Sequence, residues 1–399
     1  MELTFEKGAV VLLLIATVVA ILSRRLRLPY SVGLVATGMG IALIPFAPRV
    51  SLTKDLIFTG LLPPLIFEAA FSLRWRELRK DLPLIATLAT VGVLLSAAIT
   101  TAGMHFLVHW EWTSALLFGV LIAATDPVSV ISIFREANAH GRLRLLIEAE
   151  SLFNDGTAAV AFSIAVALAA GQTPSAPAIL RTALVTTGGG VLCGAVVGNL
   201  VLYLMVSTKD HVVETTCTTI AAYGSFLLAD SLQTSGVFAT LTAGLIVGNL
   251  GNHRIISDRG REAVQAFWEY AAFAANSIVF LLIGMHETSR HFGLVWLATI
   301  VAAILVTLGR AAAIYPICLL FARSSHRVSR GQQHALFWGG LRGALALALV
   351  LGLPEDVPRR EEIVTVSFAV VALSIFAQGL TIAPLLRRLG EIAPGQENL

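Results

Sequence analysis

Charged residues are scarce in this chain, at 13% of 399 residues, whereas hydrophobic residues make up 56%. A soluble globular protein carries about 25% charged residues. With about half that share, a chain of this length lacks the polar side chains to cover a water-exposed surface, which excludes a soluble enzyme. Cysteine is also rare, since Cys193, Cys217 and Cys318 are the only three and lie in apolar stretches without CxxC spacing. They indicate neither a disulfide framework nor a zinc site.

Two further absences narrow the class of function. The net charge of +3 is spread over short loops, and no basic block of the kind that binds nucleic acid stands out. The nine histidines form no HExxH motif, so a metalloenzyme is not indicated, and His334 is interpreted as an interfacial residue rather than a pH sensor. An intramembrane hydrolase is not indicated either, because no Ser/His or paired-Asp motif lies at membrane depth.

Long apolar runs, by contrast, recur along the whole chain. About 20 residues cross a bilayer as a helix. Thirteen segments approach or exceed this length, near residues 8–22, 28–46, 54–72, 83–108, 114–134, 144–170, 178–206, 212–230, 234–250, 264–285, 292–321, 332–353 and 362–386. The runs are continuously apolar rather than alternating, which argues against a β-barrel. We therefore expect an all-α polytopic membrane protein with about 13 transmembrane helices.

Lys and Arg predict the orientation, because they accumulate in cytoplasmic loops. One set of loops holds 19 of them, namely Arg24, Arg25, Arg27, Arg74, Arg76, Arg79, Lys80, Arg135, Arg142, Arg144, Lys209, Arg254, Arg259, Arg261, Arg323, Arg327, Arg330, Arg387 and Arg388. The other set holds seven, namely Lys7, Arg49, Lys54, Arg181, Arg290, Arg359 and Arg360. This asymmetry predicts an N-terminus outside, a cytoplasmic C-terminus and an odd number of spans.

Segments five and twelve are interrupted by residues that break helices. The fifth contains Thr125-Asp126-Pro127, and the twelfth reads Gly-Gly-Leu-Arg-Gly over residues 339–343. Segment twelve follows segment five by seven spans, an odd number, so the two enter the membrane from opposite sides. This predicts an inverted repeat with segment seven as the linker. Paired broken helices in matching positions are typical of the binding site of a secondary transporter.

Ionisable residues at membrane depth are candidates for function. Asp155 is the strongest, because Ser151 lies four residues earlier on the same helix face and Asn154 lies beside it. This face offers a hydroxyl, an amide and a carboxylate, all of them oxygen ligands for a hard cation. A buried carboxylate that accepts either a proton or a cation has the chemistry of exchange. The alternative is that Asp155 is one half of a static ion pair.

The first break offers further oxygen atoms. Asp126 is expected as an N-cap with Pro127 at the first helical position, and direct contact with a cation is an equal alternative. Thr125 precedes the break, where its carbonyl and hydroxyl are suitable cation ligands. Glu68, near the cytoplasmic end of its segment, either snorkels to the interface or faces the ion path.

The remaining intramembrane charges are expected to be structural. A lone buried charge is costly, so Glu150 is predicted to pair with Arg310. Arg342, among the glycines of the second break, is predicted to compensate helix C-terminal dipoles.

Six motifs in fixed order carry a resemblance to a known family. They are PPLIFEAAF (63–71), ATDPVSV (124–130), ESLFNDGTA (150–158), SGVFATLTAGLIVGN (235–249), NSIVFLLIG (276–284) and GGLRGALALAL (339–349). Through them, and over nearly its full length, the chain resembles sodium/proton antiporters of the NhaP type, which are related to the eukaryotic sodium/proton exchangers. A long cytoplasmic tail like that of the eukaryotic exchangers is not expected.

The resemblance implies a homodimer in which a six-helix transport core moves against a scaffold, with segments five and twelve crossing at their breaks within the core. The implied divisions are scaffold helices 1–3 (1–80), core helices 4–6 (81–170), linker and scaffold helices 7–10 (171–291), core helices 11–13 (292–390) and a short cytoplasmic tail (391–399). Asp155 would be the carboxylate shared by proton and sodium, with sodium also on Thr125 and Ser151, and with Asn154, Asp126 and Glu68 completing the site. The resemblance also implies the Glu150–Arg310 pair, and it associates the Asn154-Asp155 sequence with electroneutral one-for-one exchange.

The expected function is therefore exchange of sodium or lithium for protons across a bacterial or archaeal cell membrane. No cofactor, no nucleic acid and no enzymatic activity are expected, and the partners are monovalent cations, protons and lipid. Potassium/proton exchange is the first alternative. An organic-anion symporter on the same scaffold is a weaker one, because the candidate site is rich in carboxylates, and a channel is the third.

Overall fold

The computed structural model describes residues 5–26, 28–44, 53–136, 141–251, 255–287 and 295–392. Within them the chain is almost entirely helical, and β-structure is limited to one isolated bridge. The helices of this part are α1 (Phe5–Leu26), α2 (Tyr30–Ala42), α3 (Leu56–Ser72), α4 (Trp75–Val108), α5 (Trp112–Leu121), α6 (Val128–Glu136), α7 (Arg142–Ala169), α8 (Ala176–Met205), α9 (His211–Ser231), α10 (Gly236–Gly251), α11 (Asp258–Glu287), α12 (Trp296–Leu320), α13 (Arg330–Trp338), α14 (Ala344–Leu351) and α15 (Arg360–Arg388).

Helices of membrane-spanning length and composition dominate the chain. Among the described residues, seven helices are long and apolar enough to cross a bilayer, namely α4, α7, α8, α9, α11, α12 and α15. Shorter apolar helices are α2, α3, α5 and α10. Every predicted apolar segment contains a helix in its described part, and large apolar side chains such as Leu184 and Leu192 are exposed on α8, as a lipid-facing surface requires. The prediction of an all-helical polytopic membrane protein is confirmed.

Two helices begin earlier than the hydropathy of the sequence predicts. Helix α4 begins at Trp75 rather than near 83, and α11 begins at Asp258 rather than near 264. Their first turns are rich in charged residues, so an apolar pattern does not detect them, yet α4 already buries Leu78 there. Several predicted positions lie outside the described residues, namely 45–46, 292–294, 393–399, Arg27, Arg49, Arg254 and Arg290.

The two broken segments meet at their breaks. Helix α5 ends at Leu121 and α6 resumes at Val128, while α13 ends at Trp338 and α14 resumes at Ala344. Between them, Asp126 and Leu341 form the isolated antiparallel bridge, in which the Asp126 N–H donates to the Leu341 carbonyl oxygen over 2.8 Å. The extended backbone of each break thus receives a partner from the other, which satisfies polar groups that have no water to bind at this depth. The prediction of two interrupted helices that cross at their breaks is confirmed.

The most extensive helix contacts fall into two groups. Helix α2 packs most extensively on α11, and α10 packs on α3 and α8, whereas α4 packs on α5 and α12, and α5 on α7. The contact between α2 and α11 depends on Gly38 and Gly284, because a Cβ on either glycine would overlap the backbone of the other helix. Such small residues let membrane helices approach closely without a hydrophobic driving force.

Arg142 anchors the first turn of α7. Its guanidinium donates to both carboxylate oxygens of Asp81 on α4, over 2.8 and 2.6 Å. It also donates to the backbone carbonyls of His326 and Arg327, in the connection between α12 and α13. One side chain therefore ties together three elements at the arginine-rich end of the bundle and fixes where α7, the helix of Asp155, enters it.

Candidate functional site

Asp126 lies at the crossing of the two broken segments. Its Oδ1 accepts a hydrogen bond from the backbone N–H of Val128 at the start of α6, over 2.9 Å. The backbone N–H of Ala344, at the start of α14, donates to the same carboxylate. Asp126 therefore caps the N-termini of two half-helices at once, where free N–H groups and the helix dipoles favour a negative charge.

Arg342 supplies the opposite charge at the same crossing. It is 2% exposed, and its Nη1 donates to the carbonyl oxygens of Ala123 and Ala124, over 2.8 and 3.1 Å. These carbonyls follow the end of α5, where a helix leaves acceptors without intrahelical partners. The backbone N–H of Arg342 donates in turn to Ser374 Oγ on α15, over 3.1 Å. The C-terminal end of α5 and the N-terminal end of α6, which meet at the break, thus each face a charge of the favourable sign.

Glu150 and Arg310 are in direct contact in the interior. Arg310 Nη1 and Nη2 donate to the two carboxylate oxygens of Glu150 over 2.7 and 2.8 Å, and the two side chains are 1% and 7% exposed. Arg310 Nη2 also donates to the Leu336 carbonyl oxygen, over 3.0 Å. This bidentate geometry neutralises both charges and joins α7, α12 and α13.

Thr125 is the centre of a small hydrogen-bond network beside the first break. Its hydroxyl lies 3.0 Å from Ser151 Oγ and accepts from Asn154 Nδ2 over 3.2 Å. Asn154 Nδ2 lies 3.4 Å from Glu150 Oε1, which connects the network to the ion pair. All four side chains are almost completely buried. The network fixes the orientation of Thr125 from α7.

A cavity of about 230 Å³ adjoins this network and contains Asp155 in its wall. The other acidic residues that line it are Glu68, Asp126, Glu148 and Glu269, and Thr125 contributes a hydroxyl. Among the described residues that form the wall there is no Lys, Arg or His. Asp155 Oδ1 is shielded from solvent and has no hydrogen-bond partner in the described part of the chain. The cavity is therefore strongly electronegative and is suited to a cation or a proton.

The cavity extends toward the arginine-rich ends of the helices. Glu269 is exposed, Tyr30 begins α2 directly after the Arg24–Arg25 region, and Glu148 lies near the start of α7. These residues share the lining with Asp155, so the cavity extends from Asp155 toward those helix ends.

The structure separates the predicted cation-binding residues into two sets. Asp155, Asp126, Thr125 and Glu68 line the cavity. Ser151 and Asn154 do not belong to the described lining of the cavity. They contact that lining through the Thr125 hydroxyl. The sequence left open whether Glu68 snorkels to the interface or faces the ion path, and in the structure it lines the cavity. His334 accepts or donates a hydrogen bond with Tyr315 over 2.7 Å at an exposed position away from the cavity.

Glu148, Glu269 and Asn276 line the cavity but were not singled out from the sequence. The first two are ionisable residues inside the predicted segments 144–170 and 264–285, so the depth criterion applied to Asp155 also selects them. Asn276 is the first residue of the motif NSIVFLLIG, but nothing in the sequence indicates that it faces the candidate site.

Comparisons with known proteins identify the family and the relatives of this chain. The family described as "Sodium/hydrogen exchanger, transmembrane" matches residues 11–388. The chain is 39% identical over 383 residues to the Na(+)/H(+) antiporter ApNhaP of Aphanothece halophytica, which covers 95% of this chain and 73% of that protein. It is 34% identical over 397 residues to the Na(+)/H(+) antiporter NhaP of Pseudomonas aeruginosa, with 92% of each protein covered.

A solved structure shows the same fold. The sodium proton antiporter MjNhaP1 of Methanocaldococcus jannaschii superposes with a TM-score of 0.75 at 18% identity, over 96% of each chain. The family match spans the chain from α1 to α15, and members of this family are transporters rather than enzymes. The chain therefore belongs to the sodium/hydrogen exchanger family, as a polytopic Na⁺/H⁺ antiporter of the NhaP type.

Proposed function

We propose that this protein exchanges one sodium ion, or lithium, for one proton by alternating access, and that Asp155 carries both in turn. One observation supports this assignment above the others. Asp155 Oδ1 is buried without a hydrogen-bond partner in a cavity lined by carboxylates and, among the described residues, by no basic side chain. A carboxylate in this setting gains most from binding a proton or a cation.

The electrostatics of the cavity favour a cation over an anion. An anion symporter of this architecture would offer free half-helix N-termini or unpaired basic residues to its substrate. Here the N-termini of α6 and α14 are already capped by Asp126. The five carboxylates of the lining would repel an anion and raise the local concentration of cations.

Within the proposed site, we assign roles by contact. Asp155 and Thr125 bind the cation directly, and Asp126 and Glu68 contribute directly or through water. Ser151 and Asn154 hold the Thr125 hydroxyl, over 3.0 and 3.2 Å, so they position this ligand. Oxygen donors of this kind are the ligands that hard cations prefer.

The proposed exchange is electroneutral because Asp155 is the single exchanging charge. Asn154 is neutral, and Glu150 is bound through both oxygens by Arg310. Asp126 retains its charge throughout as the cap of two helices. One proton and one monovalent cation therefore alternate on one carboxylate.

Alternating access is proposed as movement of a core, α4–α7 with α12–α15, against a scaffold of α1–α3 with α8–α11. The division of helix contacts into two groups supports it. We further propose a homodimer in a bacterial or archaeal cell membrane, with the N-terminus outside and the arginine-rich helix ends in the cytoplasm. Glu150–Arg310 and Arg342 act as structural charges within the core.

The test is sodium-dependent dissipation of a pH gradient in proteoliposomes. The parent protein should respond to sodium or lithium, Asp155→Asn should fall to the rate of empty liposomes, and the matched variant Asp230→Asn, at an exposed carboxylate, should retain the parent rate. Near-parent exchange by Asp155→Asn would refute the assignment. A response to potassium but not to sodium would establish the potassium/proton alternative.

A further inference from the structure

Asn276 on α11 has a buried amide oxygen that lacks a hydrogen-bond partner among the described residues. The residue is 9% exposed, and no group in the described part of the chain hydrogen-bonds to its Oδ1. Buried polar atoms are nearly always hydrogen-bonded, because leaving one unpaired costs about 1–3 kcal/mol. An exception of this kind requires a reason, and the position of Asn276 suggests one, because it lines the same cavity as Asp155.

The two unpartnered oxygens of the described cavity lining come from different helix groups. Asp155 Oδ1 belongs to α7, which packs on α5, and Asn276 Oδ1 belongs to α11, which packs most extensively on α2. A carboxylate and an amide carbonyl are both acceptors, so they cannot satisfy each other. A cation between or beside them would satisfy both, and both are oxygen ligands of the kind a hard cation takes.

The surroundings of Asn276 hold it in place. Ser277, its neighbour on α11, lies 2.7 Å from the Tyr30 hydroxyl, and the Tyr30 ring stacks on Phe273 with 5.4 Å between centroids. At the other end of the same motif, Gly284 lies against Gly38 of α2 at backbone contact. The motif NSIVFLLIG thus combines a helix-packing residue at its end with a cavity-facing amide at its start. A ligand on so fixed a helix is preorganised for binding.

We propose that Asn276 is a cation ligand contributed by the scaffold, and that its amide oxygen binds sodium together with Asp155 in the conformation described above. The proposal rests on the proposed function of Asp155. Because Asn276 and Asp155 lie on elements that move relative to each other in that function, Asn276 binds the ion on one side of the transport cycle. It therefore determines the affinity for sodium at that side and leaves proton binding to Asp155.

The test measures KM for sodium and the maximal rate separately. Asn276→Leu keeps a similar volume without an oxygen atom, and it should raise KM about tenfold or more while the maximal rate changes by less than about twofold. Asn276→Asp retains an oxygen ligand and should not raise KM. The matched control is Gln378→Leu, because Gln378 is equally buried at 9%, also has an unpartnered amide oxygen, and lies outside the cavity lining. Its KM should equal that of the parent.

The outcomes separate this proposal from the function on which it rests. If Asp155→Asn is inactive and Asn276→Leu has the parent KM, only the role of Asn276 is wrong. If Asp155→Asn exchanges normally, the function itself is wrong. An equal rise in KM for Gln378→Leu would assign the effect to lost packing. If Asn276→Leu does not fold, Asn276→Ala replaces it with the same expectation, and failure of both to fold beside a normal Gln378→Leu would make Asn276 a packing residue and overturn the proposal.

Discussion

Two carboxylates on α7 lie inside the bundle but have opposite surroundings. Glu150 is 1% exposed, and both of its oxygens accept hydrogen bonds from Arg310. Asp155, little more than one turn further along the helix, faces the cavity with an Oδ1 that has no partner among the described residues. Both carboxylates lie inside the bundle, and the presence or absence of a fixed cation is the basis for the structural role proposed for Glu150 and the exchanging role proposed for Asp155. A paired charge stabilises the bundle, whereas an unpaired one is available to a mobile ion.

The strongest test of this comparison is to break the pair. Glu150→Ala leaves the Arg310 charge buried and unpaired, at an expected cost of roughly 3–5 kcal/mol in the free energy of unfolding. Arg310→Ala should have a similar effect, and both should lower the yield of folded protein and the melting temperature in detergent. The control is Glu77→Ala, since the Arg74–Glu77 pair is exposed and should contribute little.

A charge-swapped variant checks that the pairing is the cause. Glu150→Arg combined with Arg310→Glu restores opposite charges at the two positions, and it should recover part of the lost thermal stability. A stable and fully active Glu150→Ala protein would contradict the structural role of the pair.

The mirror experiment removes the charge of the other carboxylate. Asp155→Asn eliminates an interior charge that no described side chain neutralises, so its melting temperature should be no lower than that of the parent. Glu150→Gln, an equally conservative change, should melt lower because it leaves Arg310 uncompensated. Sodium should raise the melting temperature of the parent but not of Asp155→Asn, because ligand binding stabilises the state that binds it. Marked destabilisation by Asp155→Asn would show that the two carboxylates do not differ as described.

Asp126 is intermediate between the two, because it lines the cavity and also caps two half-helices. Asn is about as good an N-cap as Asp. Asp126→Asn should therefore keep most of the thermal stability and a larger share of exchange than Asp155→Asn, as measured in the same proteoliposomes. Inactivity equal to that of Asp155→Asn would make Asp126 a second exchanging group.

A neighbouring glycine provides the contrasting change at this position. A Cβ on Gly343 would overlap the Asp126 carboxylate, whereas a Cβ on Gly188 of α8 meets no atom within 4 Å. Gly343→Ala should therefore lower the free energy of unfolding by about 1–3 kcal/mol through overpacking, and it should also slow exchange. Gly188→Ala should leave both unchanged, and equal effects of the two would show that the cap geometry does not matter.

The smallest expected effect is that of membrane potential. If Asp155 alone alternates between a proton and a sodium ion, no net charge crosses the membrane in a cycle. Initial exchange rates should then be the same at different potentials set with potassium and valinomycin. A strong dependence on potential would require a second exchanging carboxylate, with Asp126 and Glu68 as the candidates.

Much of the architecture was readable from local chemistry. The apolar runs predicted the helices, and Asp126-Pro127 and the glycines at 339–343 predicted the two breaks, because such residues disrupt a helix wherever they stand. The scarcity of charge also predicted an ion pair between Glu150 and Arg310, because few intramembrane residues of opposite sign are available to either. The early starts of α4 and α11 were missed because charged turns beyond the apolar run carry no hydropathy signal.

Tertiary packing decided the composition of the site. The sequence indicates Ser151, Asn154 and Asp155 as one polar face of α7, but only the crossing of the broken segments turns Ser151 and Asn154 toward Thr125 and leaves Asp155 to the cavity. Likewise, only the close packing of α11 on α2 brings Asn276 and Glu269 to the same cavity. Hydropathy and helix-breaking residues act locally, so their effects can be predicted from the sequence alone. Which face of a helix meets which neighbour depends on the crossing of many helices at once, and that is determined only when the whole bundle is packed.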